Sequence, residues 1–203
     1  VNALSEWLHA FRIYSHPRVL GMITLGFSAG LPLLLILGTL SYWLRESGVD
    51  RSTIGYFSWI GLAYGFKWLW SPLVDRLSLP LLTKLLGRRR AWMLLSQITV
   101  TIALIGMAYT DPAENLIQMV FFSLAVAFAS ATQDVVLDAY RIEAVSPRLQ
   151  GAMAATYQAG YRMAMILSSA GVLWIAAAFD SSDTTYDYLP WCIAYLVMAA
   201  CMT

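Results

Sequence analysis

The chain is 203 residues long, 59% hydrophobic and 12% charged, with a net charge of +1 and a mean hydropathy of +0.63. Soluble domains carry roughly 25% charged residues, so these proportions exclude an ordinary soluble core and point to an integral membrane protein. The near-neutral balance gives no basis for a nucleic-acid partner. Cys192 and Cys201 share one apolar run without metal-ligand spacing, which reads as small buried hydrophobes and not as a metal site.

Residues 1–18 form an amphipathic, interfacial segment on the cytoplasmic side. Leu4, Trp7, Leu8 and Phe11 recur at helical spacing, with Glu6, His9 and Arg12 elsewhere on the wheel, predicting a short helix over 3–15 that stops before Pro17. The remainder, 19–203, reads as one transmembrane bundle. Its first span, about 19–44, is free of charge over more than the ~20 residues a bilayer requires. That run is too long for a secretory signal core and lacks a small-residue cleavage site. Gly26 and Gly30 make a small-residue face, and Pro32 interrupts the hydrogen-bond ladder. Close helix packing with a kink, and a bend that lets half a helix move, are both compatible with that pattern.

The second span covers about 52–73, with a further small-residue face at Gly61 and Gly65. Lys67 lies near its end. It can snorkel to the headgroups, or face a water-filled cavity and meet an anionic group. The following loop holds Arg76, Lys84, Arg88, Arg89 and Arg90 around a surface-seeking run, LSLPLLTKLL. The third span, about 91–109, is nearly featureless and reads as lipid-facing scaffold.

The fourth span, about 113–140, ends in SATQDVVLDAYRIE, which gathers Gln133, Asp134, Asp138 and Arg141. Helical spacing puts Asp134, Asp138 and Arg141 on one face. The fifth span, about 149–179, carries Gln158, Tyr161 and Arg162. An acidic loop at Asp180, Asp183 and Asp187 follows, and a sixth apolar run over 189–203 is short for a full crossing. The Lys and Arg residues of alternate loops number nine on the N-terminal side (Arg12, Arg18, Arg76, Lys84, Arg88, Arg89, Arg90, Arg141, Arg148) against two (Arg45, Arg51), predicting a cytoplasmic N-terminus.

Charges at bilayer depth are costly, from ~2.5 kcal/mol upward, and are functional candidates by default. Arg162 is the deepest by residue count. If the fourth and fifth spans are antiparallel about Ser146, Asp134 falls level with Gln158, within reach of Arg162. An Asp134–Arg162 pair is therefore expected, either as a clamp between two helices or as part of a solute pathway with Lys67, Gln133, Asp138 and Tyr161.

The stretch after the second span resembles motif A of the major facilitator superfamily: Ser71, Leu73, Asp75, Arg76, Gly87, Arg88 and Arg89 match it. Ser71 replaces the leading Gly, and about ten residues separate Arg76 from Gly87 where the compact motif has one or two. GFSAGLPL, IGYFSWIGLAYGFKWLWSPLVDR, GRRRAW, SATQDVVLDAYR and GYRMAM together resemble the AmpG muropeptide permeases, from Val19 to about Leu173. The resemblance implies an all-α membrane protein, the six-helix N-terminal half of a proton-linked permease in the bacterial inner membrane. It further implies anhydro-muropeptide import for cell-wall recycling and β-lactamase induction, no cofactor beyond the proton gradient, and a C-terminal six-helix half as partner. Ser71, Asp75, Arg76, Gly87, Arg88 and Arg89 would form its cytoplasmic gate. The acetyl-CoA transporter group shares similar blocks and is the alternative for substrate. A non-transporting interaction module that uses the glycine faces is the alternative by class. A membrane enzyme is disfavoured, because the chain contains no His-Glu-x-x-His and no His/Cys cluster.

Overall fold

The computed structural model describes residues 13–180 and 186–203. Most of the expected interfacial helix, and Asp183, lie outside the described residues. Among those residues all regular structure is helical, and four helices are long and apolar enough to cross a membrane.

Helix α1 spans Pro17–Glu46. Pro17 opens it, where a missing N–H is harmless, and the His16 side chain accepts from the Arg18 amide. Pro32 does not end the helix. Three residues later the backbone widens into a π turn, Leu35–Thr39, and then resumes. Proline removes one backbone donor, and a local change of helical register absorbs the defect within one continuous element. Gly48, at φ 87°, makes the turn that follows, a left-handed position suited to glycine.

The expected second span is not one helix. It is a series of short pieces: α2 (Arg51–Phe57), a 3-10 turn (Ser58–Gly61), α3 (Leu62–Gly65), a 3-10 turn (Lys67–Leu69) and α4 (Ser71–Arg76). Gly55, Gly61 and Gly65 weaken the helix, and Pro72 cannot continue the ladder, so apolar content here does not translate into regular helix. Asp50 caps α2, accepting from the Thr53 amide at 3.1 Å and from the Ser52 and Thr53 hydroxyls.

A short helix, α5 (Leu82–Leu86), leads through Gly87, at φ 80°, into α6 (Arg88–Ala108). Helix α7 spans Leu116–Glu143 and starts later than its apolar run, because residues 111–115 form a turn held by Asp111. Helix α8 is Pro147–Phe179, with a π turn at Leu167–Gly171, and α9 is Tyr188–Cys201.

The tightest packing joins α1 to α8. A Cβ on Gly26 would stand 2.1 Å from the Tyr157 carbonyl oxygen, and one on Gly160 would stand 2.0 Å from that of Ile23, so the backbones touch. Gly30 meets the Tyr161 backbone in the same way. Further along, the two π turns are tied by Thr39 Oγ1 donating to Ser168 O at 2.6 Å. The other small-residue face behaves differently: Gly61 contacts only the Leu37 side chain, and Gly65 has nothing within 4 Å.

Helix α6 keeps an exposed apolar face at Leu94, Ile98, Ile102 and Ile105, and packs with the other. It buries Ala91, Ser96, Val100, Leu104 and Met107 against α7 and α9. The chain's aromatic residues supply what its bland sequence did not show: Gly106 seats the Phe122 ring. At the bundle end bearing the α1–α2 turn, Trp43 stacks on Trp191 at 5.7 Å and donates to Tyr186, which donates to Asp111 at 2.9 Å. Cys192 is buried as expected, whereas Cys201 is exposed.

Candidate functional site

Helix α7 carries a polar stripe at i, i+4 spacing inside an otherwise apolar span. Ser130 and Gln133 are fully buried, and Asp134 is 8% exposed. Their surroundings come from three other segments. Ser28 of α1 accepts from Gln133 Nε2 at 2.6 Å. Tyr64 of α3 brings its hydroxyl beside Ser130 and Asp134. Lys67, in the irregular stretch after α3, reaches Asp134 Oδ2 at 3.6 Å and Asp138 Oδ2 at 3.9 Å. Arg141 extends the chain of charges, 3.5 Å from Asp138, and lies over the Tyr157 ring at 5.7 Å. Tyr161 stands next to Tyr157, with ring centroids 6.0 Å apart.

Among the described residues, Gln133 Oε1 and Asp134 Oδ1 are buried without a hydrogen-bond partner, and the buried Tyr64 and Ser130 hydroxyls have no partner beyond each other. Unpaired polar atoms are expensive in an apolar interior, at roughly 1–3 kcal/mol each. Turning the Gln133 amide over does not help, since Ser28 can satisfy only one end of it. These atoms gather donor and acceptor capacity around Asp134 that the surrounding helices leave unused.

The expected Asp134–Arg162 pair is absent. Gly160 faces α1, and Arg162, two residues on, projects from nearly the opposite side of α8, where it is exposed and its Nη1 approaches Met165 Sδ at 3.8 Å. Counting residues from the turn sets the height of a side chain and not its face. Asp134 instead takes its cation from the neighbouring hairpin, through Lys67.

A second cluster sits where α4, α6 and α7 end together. Arg89 donates to Asp75 Oδ1 and, in a two-pronged arrangement, to both carboxylate oxygens of Glu143, the closer at 2.9 Å. Of the residues expected at a gate, only Asp75 and Arg89 are joined. Gly87 supplies the positive-φ turn before Arg88, Ser71 bonds back to Trp68 O, and Arg76 and Arg88 are exposed, with no ion pair among the described residues. Glu143 was missed because nothing in its local sequence separates it from an ordinary helix-end acid. Ser130 could have been found from its spacing to Asp134, whereas Tyr64 and Ser28 carried no signal.

The family model for acetyl-coenzyme A transporter 1 matches residues 19–190. The anhydromuropeptide permease of Escherichia coli K12 is 40% identical over 189 residues, covering 93% of this chain and 36% of the permease. A Rickettsia felis transporter named AmpG 4 is 36% identical over 165 residues, covering 81% of this chain and 40% of its own length. A Haemophilus influenzae protein of uncharacterized function is 37% identical over 177 residues, covering 87% and 38%. The chain thus spans well under half of these relatives. The named ones are a permease and a transporter and not enzymes. These matches show that the chain belongs to the acetyl-coenzyme A transporter 1 family of the major facilitator superfamily, alongside the AmpG-like permeases, and its four membrane-length helices make it a multi-pass membrane protein.

Proposed function

We propose that the chain is the N-terminal half of a proton-linked permease that imports anhydro-muropeptides across the bacterial inner membrane for cell-wall recycling, with its N-terminus in the cytoplasm. The supporting observation is the set of unpaired buried polar atoms around Asp134. A disaccharide-peptide presents hydroxyls, amides and carboxylates. Gln133 Oε1 and Asp134 Oδ1 can accept from its hydroxyls and amides, and the Tyr64 and Ser130 hydroxyls can donate to its oxygens. Tyr161 and Tyr157 supply ring surface beside them. Similarity to the Escherichia coli permease supports the same solute class.

The matching family model favours acetyl-CoA as a second reading. Against it, Lys67 and Arg141 are both already committed to Asp134 and Asp138, which leaves this cluster without a spare cation for the several phosphate charges of that molecule. The test is uptake by the full-length protein in membrane vesicles, with labelled disaccharide-peptide and labelled acetyl-CoA compared, with and without an uncoupler. Uptake of the disaccharide-peptide that collapses with the uncoupler is expected. Uptake of acetyl-CoA alone would overturn the proposal.

A further inference from the structure

The segment between α4 and α6 is a built surface element. Trp92 Nε1 donates to Leu77 O at 2.9 Å, and the Leu79 amide donates to Thr83 Oγ1 at 2.9 Å, which fixes the entry to α5. Leu81 and Leu85, one helical turn apart, are 78% and 77% exposed. Around them Arg76, Lys84, Arg88 and Arg90 are exposed and in no ion pair among the described residues, whereas Arg89 is occupied by Asp75 and Glu143. A concavity of about 280 Å³ opens beside this turn, lined by Gly87, Arg88, Arg90 and Tyr140; the acid on its rim, Glu143, shares Arg89 with Asp75, so those two acids leave one negative charge against the four cations.

Bare leucines beside uncompensated cations match one environment, the boundary between acyl chains and charged headgroups. A zwitterionic lipid would cover the leucines but leave an excess of positive charge, four cations against the one negative charge that Asp75 and Glu143 retain beyond Arg89. We propose that this loop is a docking surface for anionic phospholipid, with acyl chains against Leu81 and Leu85 and the headgroup phosphate held by Arg76, Lys84, Arg88 and Arg90. The charge complementarity is between four basic side chains and the phosphate of a phosphatidylglycerol-type lipid.

The test measures lipid kept by the purified full-length protein after exposure to an equal mixture of phosphatidylglycerol and phosphatidylcholine with matched chains, counted by mass spectrometry. The wild type should retain phosphatidylglycerol at least about fivefold over phosphatidylcholine, and a wash at high salt should erase most of that preference. The variant R76Q/K84Q/R88Q/R90Q should fall to near parity, while R76K/R88K/R90K keeps the preference and controls for folding. L81S/L85S should lower retention of both lipids. The proposal is overturned by a salt-independent preference in the wild type, or by an undiminished preference in the Gln variant, the outcome expected if a second half of the transporter covers this loop. Displacement of the lipid by millimolar glycerol phosphate would equally overturn it, since that describes a soluble-anion site.

Discussion

The Lys67 ammonium lies 3.6 Å from Asp134 Oδ2, while the other oxygen of the same carboxylate is buried and unpaired. One oxygen of the carboxylate is thus held by a cation, and the other is enclosed without a partner. Removing the cation leaves Asp134 and Asp138 facing each other at membrane depth, where an uncompensated charge costs ~2.5 kcal/mol or more. Lys67→Ala should therefore reduce both the amount of folded protein and uptake, the latter to below about a tenth, since 1.4 kcal/mol is already tenfold. The neutral double variant Lys67→Met/Asp134→Asn should restore the amount of protein, read by size-exclusion chromatography, but not uptake. Normal transport in that double variant would reduce the pair to a helix clamp.

The glycine contacts make a sharper structural prediction. Gly26→Ala and Gly160→Ala each place a methyl about 2 Å from a carbonyl oxygen of the facing helix. No side chain can rotate away, so α1 and α8 must separate. Overpacking of this kind costs roughly 1–3 kcal/mol. Gly65→Ala has the same chemistry but open space around it, and gains up to about 1 kcal/mol in helix propensity. Thermal unfolding in detergent should show the first two variants melting well below wild type and Gly65→Ala at or above it.

These contrasts show how far the sequence is readable. Apolar runs reveal α1, α6, α7 and α8, because a bilayer demands about 20 apolar residues and little else of its size meets that demand. The break-up of residues 51–76 is not readable this way, since hydropathy is blind to backbone regularity. Gly26 and Gly65 look alike in sequence, and only the position of α8 distinguishes a contact from an open face. In the candidate site, the α7 stripe from Gln133 to Arg141 is legible from helical spacing alone. Its partners are not. Lys67 comes from a different hairpin than the one that antiparallel counting considers, and Tyr64 and Ser28 are ordinary residues made polar neighbours by tertiary packing.

Asp50 offers a pH test outside the membrane spans. Hydrogen bonds from the Ser52 hydroxyl first, then from the Thr53 hydroxyl and amide, hold its carboxyl down to about 2. A carboxylate depressed in the folded state stabilises it above the unfolded value, ~3.9, and loses that contribution as pH falls through the folded value. The difference in melting temperature between wild type and Asp50→Ala should be full at pH 6, shrink below pH 4 and lose its charge-dependent part only as pH falls below about 2. A difference that stays constant across that window would mean the cap works without its charge.

Arg89 joins three helices at one end of the bundle, through Asp75 on α4 and Glu143 on α7. Both carboxylates are about half exposed, at 47% and 55%, so each ion pair contributes only ~0–1 kcal/mol to stability. Arg89→Ala should accordingly shift the melting temperature by only a few degrees. Its consequence for transport should be larger if the cluster acts as a gate, because α4 and α7 lose their common link and the closed arrangement loses its lock. Arg89→Lys tests the geometry: an ammonium is a point charge that can hold one carboxylate but cannot reproduce the planar fork that engages both. We expect uptake to fall severalfold in Arg89→Ala and to an intermediate level in Arg89→Lys, with Glu143→Gln close to the Lys variant. If Arg89→Ala transports at the wild-type rate while its stability drops, the cluster is a structural tie between α4, α6 and α7 and the gate lies elsewhere.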